Sequence, residues 1–381
     1  MIIWAEGTVA AIRTGWAGAV EVTARRDDGD DCRALVYTDL MPVPEVGDRL
    51  LLNVAALERG LGTGGYALAI AVLGAGGHLK GQPEQPGGHL VKARYLPLQT
   101  MVAGGDEQGS AFHDLLAEAD DIGGMPVVTT DLHSALPAVL AAVQHDRPGT
   151  RVVYLMSDHG ALPIAFSRSV AQLRESGQLA ATVTVGQAFG GDLEAVTVHS
   201  GLLAARLALE ADLVILSQGP GNLGTGTRWG FSGVACGEAV NATATIGGRP
   251  VGSLRVSGAD LRPRHRGVSH HSLTAYGRVA LQPADIALPR LADAPQLSGI
   301  GGLDAAAALA EEVSRAAATL TRHRLVEVDL VGLDEALLAS PVRLSTMGRG
   351  LHEDPAYFLA AAASGRLAAR LLGGSPRPTP Q

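Results

Sequence analysis

Residues able to do chemistry gather in five short stretches of this chain: Asp131 with His133; Ser157-Asp158-His159; the turn Gly190-Gly191-Asp192; the loop Ser217–Thr227 (SQGPGNLGTGT); and Ser257–His271 (SGADLRPRHRGVSHH). A carboxylate beside a histidine suits general acid/base catalysis. The same residue types ligate divalent metals. On this reading Asp158, His159, His270 and His271 are the catalytic candidates, and Asp131, His133, Asp158 and Asp192 are the candidate metal ligands. Arg262, Arg264 and Arg266 stand with His265 in the most basic stretch of an acidic chain. Arginine forks suit bidentate contacts to phosphate or carboxylate. A solvated basic loop is the plainer alternative.

The glycine loop contributes Ser217, Gly219, Gly221, Gly224, Thr225 and Gly226 to a candidate anion site. Backbone N–H groups without side chains in the way can cradle an anion, above all before a helix N-terminus. The loop follows the apolar run Asp212–Leu216, and Gly219–Gly224 fits G-x-G-x-x-G. It departs from the dinucleotide fingerprint, because helix entry is delayed to about Ser232 and no acidic residue closes the next strand at Val256-Ser257. NAD is therefore not expected. No Gly-Lys-Ser/Thr follows, which excludes a Walker loop. The identity of a cofactor stays open, a divalent metal included. A purely structural turn is the alternative reading of the glycines. A second G-x-G-x-x-G match, Gly60–Gly65, lies among strands and reads as a hairpin or bulge.

These stretches need elements that bring them together. From Met125 the pattern alternates strand and helix: Pro126–Thr130 then Ser134–Gln144, Arg151–Met156 then Ile164–Glu175, Ala181–Val185 then Ser200–Glu210, Asp212–Leu216 then Val234–Ile246, and Val251–Val256 then a helix from about Ser269. Helix Leu303–Thr321, strand Leu325–Leu330 and a last helix from about Pro355 to Leu372 complete the pattern. Such alternation predicts an α/β fold with a doubly wound, mostly parallel sheet, whose ligands bind outside the carboxyl ends of the strands. Each candidate stretch follows a strand, so several of them converge at one sheet edge. The motif His133-Ser-Ala-Leu-Pro137 recurs as His159-Gly-Ala-Leu-Pro163, which suggests equivalent positions in consecutive units or, more plainly, two similar helix starts. Ser200 reads as a helix cap, and Cys236 as a buried thiol.

Upstream, residues 1–76 read as a small antiparallel β-barrel-like domain. Alternating stretches at Val9/Ala11, Val20/Val22 and Leu35/Tyr37 and a denser run at Leu50–Val54 are divided by Thr14-Gly15, Asp28-Gly29 and Val46-Gly47-Asp48. Residues 77–124 read as a linker or embellishment, with the Pro/Gly-rich Gln82–Gly88 and a short strand within Leu90–Leu98. Residues 125–372 form the α/β domain, and 373–381 a disordered tail.

Composition narrows the function. The 381 residues carry 30 basic and 38 acidic side chains, a net charge of −8, so nucleic acid is not an expected partner. Two cysteines far apart argue against a disulfide framework or a cysteine zinc site. Neither a signal peptide nor a membrane span is expected, which gives a soluble cytoplasmic protein; a homo-oligomer is compatible with this composition.

Val46–Gly65, Lys92–Gln99 (KARYLPLQ), His159–Phe166, Phe189–Leu203, Gly219–Gly233 and Arg262–Leu273 together resemble an uncharacterised bacterial family, a domain of unknown function, over nearly the whole chain. That resemblance implies no catalytic role. The short string His265–His270 is similar, over fewer than ten residues, to the His-Arg…Thr-His signature of certain metal-dependent membrane hydrolases, and no role is carried from it. The expected function is a hydrolase or group transferase acting on a small anionic, phosphorylated or nucleotide-like substrate. The alternative is a metabolite-binding regulator that uses the same loops without turnover.

Overall fold

The computed structural model describes residues 2–61, 64–74, 76–81, 87–294 and 302–373. The chain forms two compact units, Met1–Ala103 with Pro163–Ala171, and Gly104–Leu162 with Gln172–Gln381. Residues 77–103 thus go with the first unit and 104–124 with the second. Residues 62 and 63 of the expected hairpin or bulge at Gly60–Gly65, most of Gln82–Gly88 and the tail beyond 373 lie outside the described residues.

The first unit is a closed barrel of five strands, β1 Trp4–Trp16, β2 Ala19–Arg26, β3 Asp31–Tyr37, β4 Arg49–Asn53 and β5 Ala67–Leu73, in the order β1-β2-β3-β5-β4. Every pairing is antiparallel except β3 with β5. Side chains alternate across each strand, so Val22 and Ala24, Ala34 and Val36, and Leu50 and Leu52 reach one buried core. The Thr14-Gly15 turn is corrected: both residues lie inside β1, where the register shifts between Ile12 and Gly15, and the chain reverses at Gly18 instead. Closure needs strong local curvature, and such a shift supplies it. A short turn Ala55–Glu58 (α1) links β4 to β5, and β6 Leu90–Lys92 pairs with β7 Thr100–Val102. The strand expected within Leu90–Leu98 stops at Lys92, because Ala93 and Tyr95 have positive φ.

The second unit is built on an eight-stranded sheet, parallel throughout. Its strands are β8 Pro126–Thr129, β9 Val152–Ser157, β10 Ala181–Thr184, β11 Leu193–Glu194, β12 Leu213–Gln218, β13 Arg249–Ser253, β16 Asp285–Pro289 and β17 Arg324–Val328. They run in the order β11-β10-β9-β12-β8-β13-β16-β17. A separate antiparallel pair joins β14 Val256–Ser257 to β15 Gly267–Val268. The run expected as one strand at Val251–Val256 is therefore two, broken at Leu254-Arg255. β16 (DIALP) was not anticipated, since its proline and aspartate mask the apolar pattern.

After the single turn α2 His113–Leu116, the helices cover both faces. On one face Val127, Val153, Leu155, Val214 and Leu216 pack against α5 Val198–Leu203 and α6 Ala235–Thr245. On the other, α3 Leu136–Asp146 and the final helix, Pro355–Leu371, pack together over the strands. The helix expected at Ile164–Glu175 is broken at Ser167, and only Arg168–Glu175 (α4) is α-helical. Among the described residues three more α-helices follow in this unit, α7 His270–Thr274, α8 Gly302–Ala317 and α9 Leu333–Leu338, before the Pro355–Leu371 helix, α10. Winding starts at β8 and moves out through β9 and β10 to β11. It then returns to place β12 beside β8, and continues the other way through β13, β16 and β17. The reversal lies around β9, β12, β8 and β13, and crevices for ligands form where winding reverses.

Candidate functional site

Each strand at the reversal ends in polar residues. Asp131 follows β8, Ser157 ends β9 ahead of His159, Ser217 and Gln218 end β12, and Arg255 lies just past β13. A cleft of about 300 Å3 opens here, lined by Thr130, Asp131, Ser157, His159, Ser217 and Gln218, with His199 from α5 and Cys236 and Glu238 from α6. The His159 ring reaches Ser157 Oγ at 3.2 Å and Asp158 Oδ1 at 3.5 Å through Nδ1. Asp158 Oδ2 accepts the Gln187 N–H at 3.0 Å, so this carboxylate both fixes the neighbouring loop and faces the histidine. Gln218 donates to the Asp131 carbonyl at 2.7 Å and to Asn222 Oδ1 at 3.0 Å.

Beside the cleft the rings of His265, His270 and His271 form one cluster, with centroids 4.4–5.0 Å apart. Its frame follows from local sequence. The β14–β15 pair closes the Ser257–Gly267 loop, and Ser269 then caps α7. The buried Ser269 hydroxyl accepts the His271 N–H at 3.2 Å and meets His265 Nδ1 at 2.8 Å. Phe231 stacks flat on His271, with centroids 3.7 Å apart and planes 2° from parallel. Burial, and then the charge of Arg255, pushes the His265 imidazole down to about 3. Burial, and then His271, pushes His270 down to about 4. Asp131 joins cluster and cleft: it lines the cleft, and its Oδ2 lies 3.7 Å from His271 Nδ1.

An ionic network backs the cluster. Buried Arg255 has Nη1 3.4 Å from His271 Nδ1 and Nη2 3.9 Å from Asp260 Oδ2. Asp260 takes a bidentate fork from Arg262 at 2.7 and 2.9 Å and is approached by Arg349 at 3.3 Å. The Arg262 fork holds the Asp260 carboxyl far below its usual range. Asp354 accepts from Arg349 at 3.1 Å, the Ser257 hydroxyl at 2.5 Å and the Gly258 N–H at 3.1 Å.

The expected site residues therefore sort by position. Ser217, Asp131 and His159 line the cleft; His265, His270 and His271 lie together; Arg264 reaches the glycine loop, where a Cβ on Gly226 would sit 3.7 Å from its Nη2. Three expectations need correction. His133 is held by Tyr154, its Nδ1 2.9 Å from that hydroxyl, and burial lowers it to about 4; it does not line the cleft. It is not equivalent to His159: α3 starts three positions after His133, whereas α4 starts only at Arg168, within the segment Pro163–Ala171 that goes with the first unit. Asp192 is committed to the Thr182 N–H and hydroxyl at 2.7 and 2.8 Å and to Arg174 at 2.9 Å. Arg262 is occupied by Asp260, and Arg266 lines a separate hollow with Gly258 and Glu312.

The glycine loop differs from an anion cradle at a helix start. Leu223–Ser232 folds into an exposed hairpin, in which Thr225 N–H donates to Gly230 O at 2.7 Å and Ser232 N–H to Leu223 O at 3.0 Å. Asn222 Oδ1 pins its base by accepting from Ser232 Oγ, Gly233 N–H and Gln218. Gly219 serves close packing instead, because a Cβ there would sit 2.5 Å from Ala161 O. Gly221, just ahead of this hairpin, and Gly224 and Thr225 on it are exposed and do not line the cleft.

Sequence reading gives no role to Arg255, Phe231 or Asp354; His199 enters it only at a helix start, Asp260 only as part of the stretch Ser257–His271, and Arg349 only within the polar loop Met347–His352. An arginine inside the apolar run VGSLRV is the one signal that marked Arg255. Asp354 looks like an ordinary cap before α10, but its carboxylate makes no cap bond and holds Ser257 and Arg349 instead. Ser200 is the third residue of its helix, paired with the true cap Thr197. Cys236 donates to the Tyr276 hydroxyl at 3.0 Å, and burial pushes its thiol up to about 12, which removes it as a nucleophile.

No curated protein matches the chain. A model for a protein family of unknown function, DUF3866, matches residues 33–365, nearly the whole length. By that match the chain belongs to the DUF3866 family, which carries no assigned activity.

Proposed function

We propose that this protein is a hydrolase or group transferase acting on a small anionic, phosphorylated or nucleotide-like substrate at the carboxyl edge of the sheet. One observation carries the reading. Among the described residues, five buried side-chain polar atoms lack any hydrogen-bond partner, and three of them, Asp131 Oδ2, Gln218 Oε1 and His270 Nε2, belong to this site. An unsatisfied buried polar atom costs about 1–3 kcal/mol. Three in contiguous residues amount to a cost that a bound ligand would remove. Two are acceptors and ask for a hydroxyl, an amine or bound water. Arg264, exposed beside the glycine hairpin, and Arg255 beneath the cluster supply the positive field that an anionic substrate needs.

His159 is the acid/base residue in this reading, oriented by Asp158, since it is the one cleft histidine with a carboxylate and a hydroxyl on the same ring nitrogen. The placement resembles the way Rossmann-like sheets hold ligands. Two free cysteines fit a reducing compartment such as the cytoplasm.

The test is a thermal-shift and turnover screen with inorganic phosphate, nucleoside phosphates and sugar phosphates. At least one should stabilise the protein and be turned over. His159→Ala should keep that binding and lose about 10²–10⁴-fold in rate. No stabilisation by any member overturns the anion site. Binding without turnover in the wild-type protein favours the regulatory reading.

A further inference from the structure

We propose that His265, His270 and His271 form a binding site for a divalent transition-metal ion of the zinc type, with Asp131 behind His271 as its positioning residue. The proposal does not need the substrate reading above, but it assigns two of the three unpartnered atoms used there, His270 Nε2 and Asp131 Oδ2, to the ion and its outer shell instead of to the substrate.

The geometry comes first. Each of the three histidines offers one ring nitrogen, and these atoms all lie within 4.8 Å of one another. Three imidazoles on a tetrahedral ion place their nitrogens about 3.3 Å apart, given metal–nitrogen bonds of about 2.0–2.1 Å. Small ring movements close that gap. Three histidines with a fourth position left for water or substrate is a known arrangement of catalytic zinc.

The hydrogen bonds then select which nitrogens are offered. His265 Nδ1 is taken by the Ser269 hydroxyl at 2.8 Å, which leaves Nε2. His270 Nε2 is buried and unpartnered. His271 Nδ1 faces Arg255 Nη1 at 3.4 Å and, beyond hydrogen-bond reach, Asp131 Oδ2 at 3.7 Å, which leaves Nε2 for an ion. Metal-bound histidines usually donate their other N–H to a carboxylate, hydroxyl or carbonyl, which fixes the tautomer. Ser269 and Asp131 are that outer shell for two of the three ligands. This also accounts for the unpartnered Asp131 Oδ2: it is the acceptor for a His271 Nδ1–H that only the metal-binding tautomer carries.

Arg255 works against a dication. Its Nη1 lies 3.4 Å from His271 Nδ1 and can only donate, so it favours the opposite tautomer. The guanidinium is partly offset by Asp260 at 3.9 Å. Metal binding should therefore swing His271 from Arg255 to Asp131.

The experiment uses the full chain, stripped with chelator and titrated with Zn2+ and Co2+ by calorimetry and absorption. One equivalent should bind, with a rise in melting temperature and Co2+ bands of tetrahedral intensity. His270→Gln, at the least buried of the three, should abolish the stoichiometric site, whereas His145→Gln, remote and exposed, should leave it intact. Asp131→Asn should weaken affinity about 10–100-fold and shift the Co2+ bands while folding is kept. Absence of stoichiometric binding, or equal affinity in His270→Gln and His145→Gln, overturns the proposal. Because the metal itself is the probe, failure here is separate from failure of the phosphate screen.

Discussion

Gly160 and Gly219 let two loop backbones touch. A Cβ on Gly160 would sit 2.2 Å from Gly219 O, and the Ala161 N–H donates to Pro220 O at 2.8 Å across the same contact. That contact sets the distance between the His159 loop and the Ser217 loop, and so the width of the cleft. Gly160→Ala should cost about 1–3 kcal/mol by overpacking, because backbone atoms cannot move aside as a flexible side chain would. Gly224 stands in contrast: the nearest atom to a Cβ there is Gly230 O at 3.9 Å. Gly224→Ala should leave the urea midpoint unchanged. Equal effects of the two substitutions would mean that the loops are not held by this approach.

Among the elements, the α3–α10 pair carries the face of the sheet opposite the α5–α6 cover, and a buried polar fastening adds to its apolar packing. Arg366 on α10 is buried and forks onto Asp146 at the end of α3 at 2.8 and 2.9 Å. It also donates to the Asp329 carbonyl and carboxylate at 3.0 and 2.9 Å. Replacing it by methionine would leave two carboxylates facing an apolar stem. Arg366→Met should cost about 3 kcal/mol, the low end for a broken buried pair because Asp146 and Asp329 keep some solvent. A urea midpoint within error of wild type would contradict this. The fastening was not legible in the sequence, where Arg366 is one charge in an alanine-rich helix. The parallel sheet was legible, because strands buried on both faces read as continuous apolar runs such as VVYLM and DLVIL, each followed by a helical pattern. The convergence of loops followed from that pattern. Its internal order did not: whether a histidine faces a cleft, as His159 does, or a tyrosine, as His133 does, depends on where the next helix begins. That was set by the excursion at Pro163–Ala171, which the local sequence shows only as a helix-like run.

For the whole molecule, acid is the stress that reaches the buried histidines outside the cluster. His323 sits where the chain after α8 meets the chain before β16. Its Nε2–H donates to Tyr276 O at 2.7 Å and its Nδ1 accepts the Ala284 N–H at 3.1 Å, so the folded state needs the neutral ring. Burial lowers its proton affinity, and burial lowers that of His133 to about 4. In the unfolded chain both return to about 6.5. Between those values the unfolded state holds more protons than the folded one, so stability must fall as pH drops from about 7 towards 4. Below about 4 the carboxylates held low by arginines, Asp285 and Asp329 among them, add to the loss in the same direction. Urea midpoints measured at pH 7.5, 6.5, 5.5 and 4.5 should therefore decline steadily. His323→Asn should be less stable at neutral pH, with a shallower decline, because the group that must charge is gone. A flat profile between pH 7 and 4.5, or an unchanged slope in that variant, would show that these rings are not held neutral by the fold.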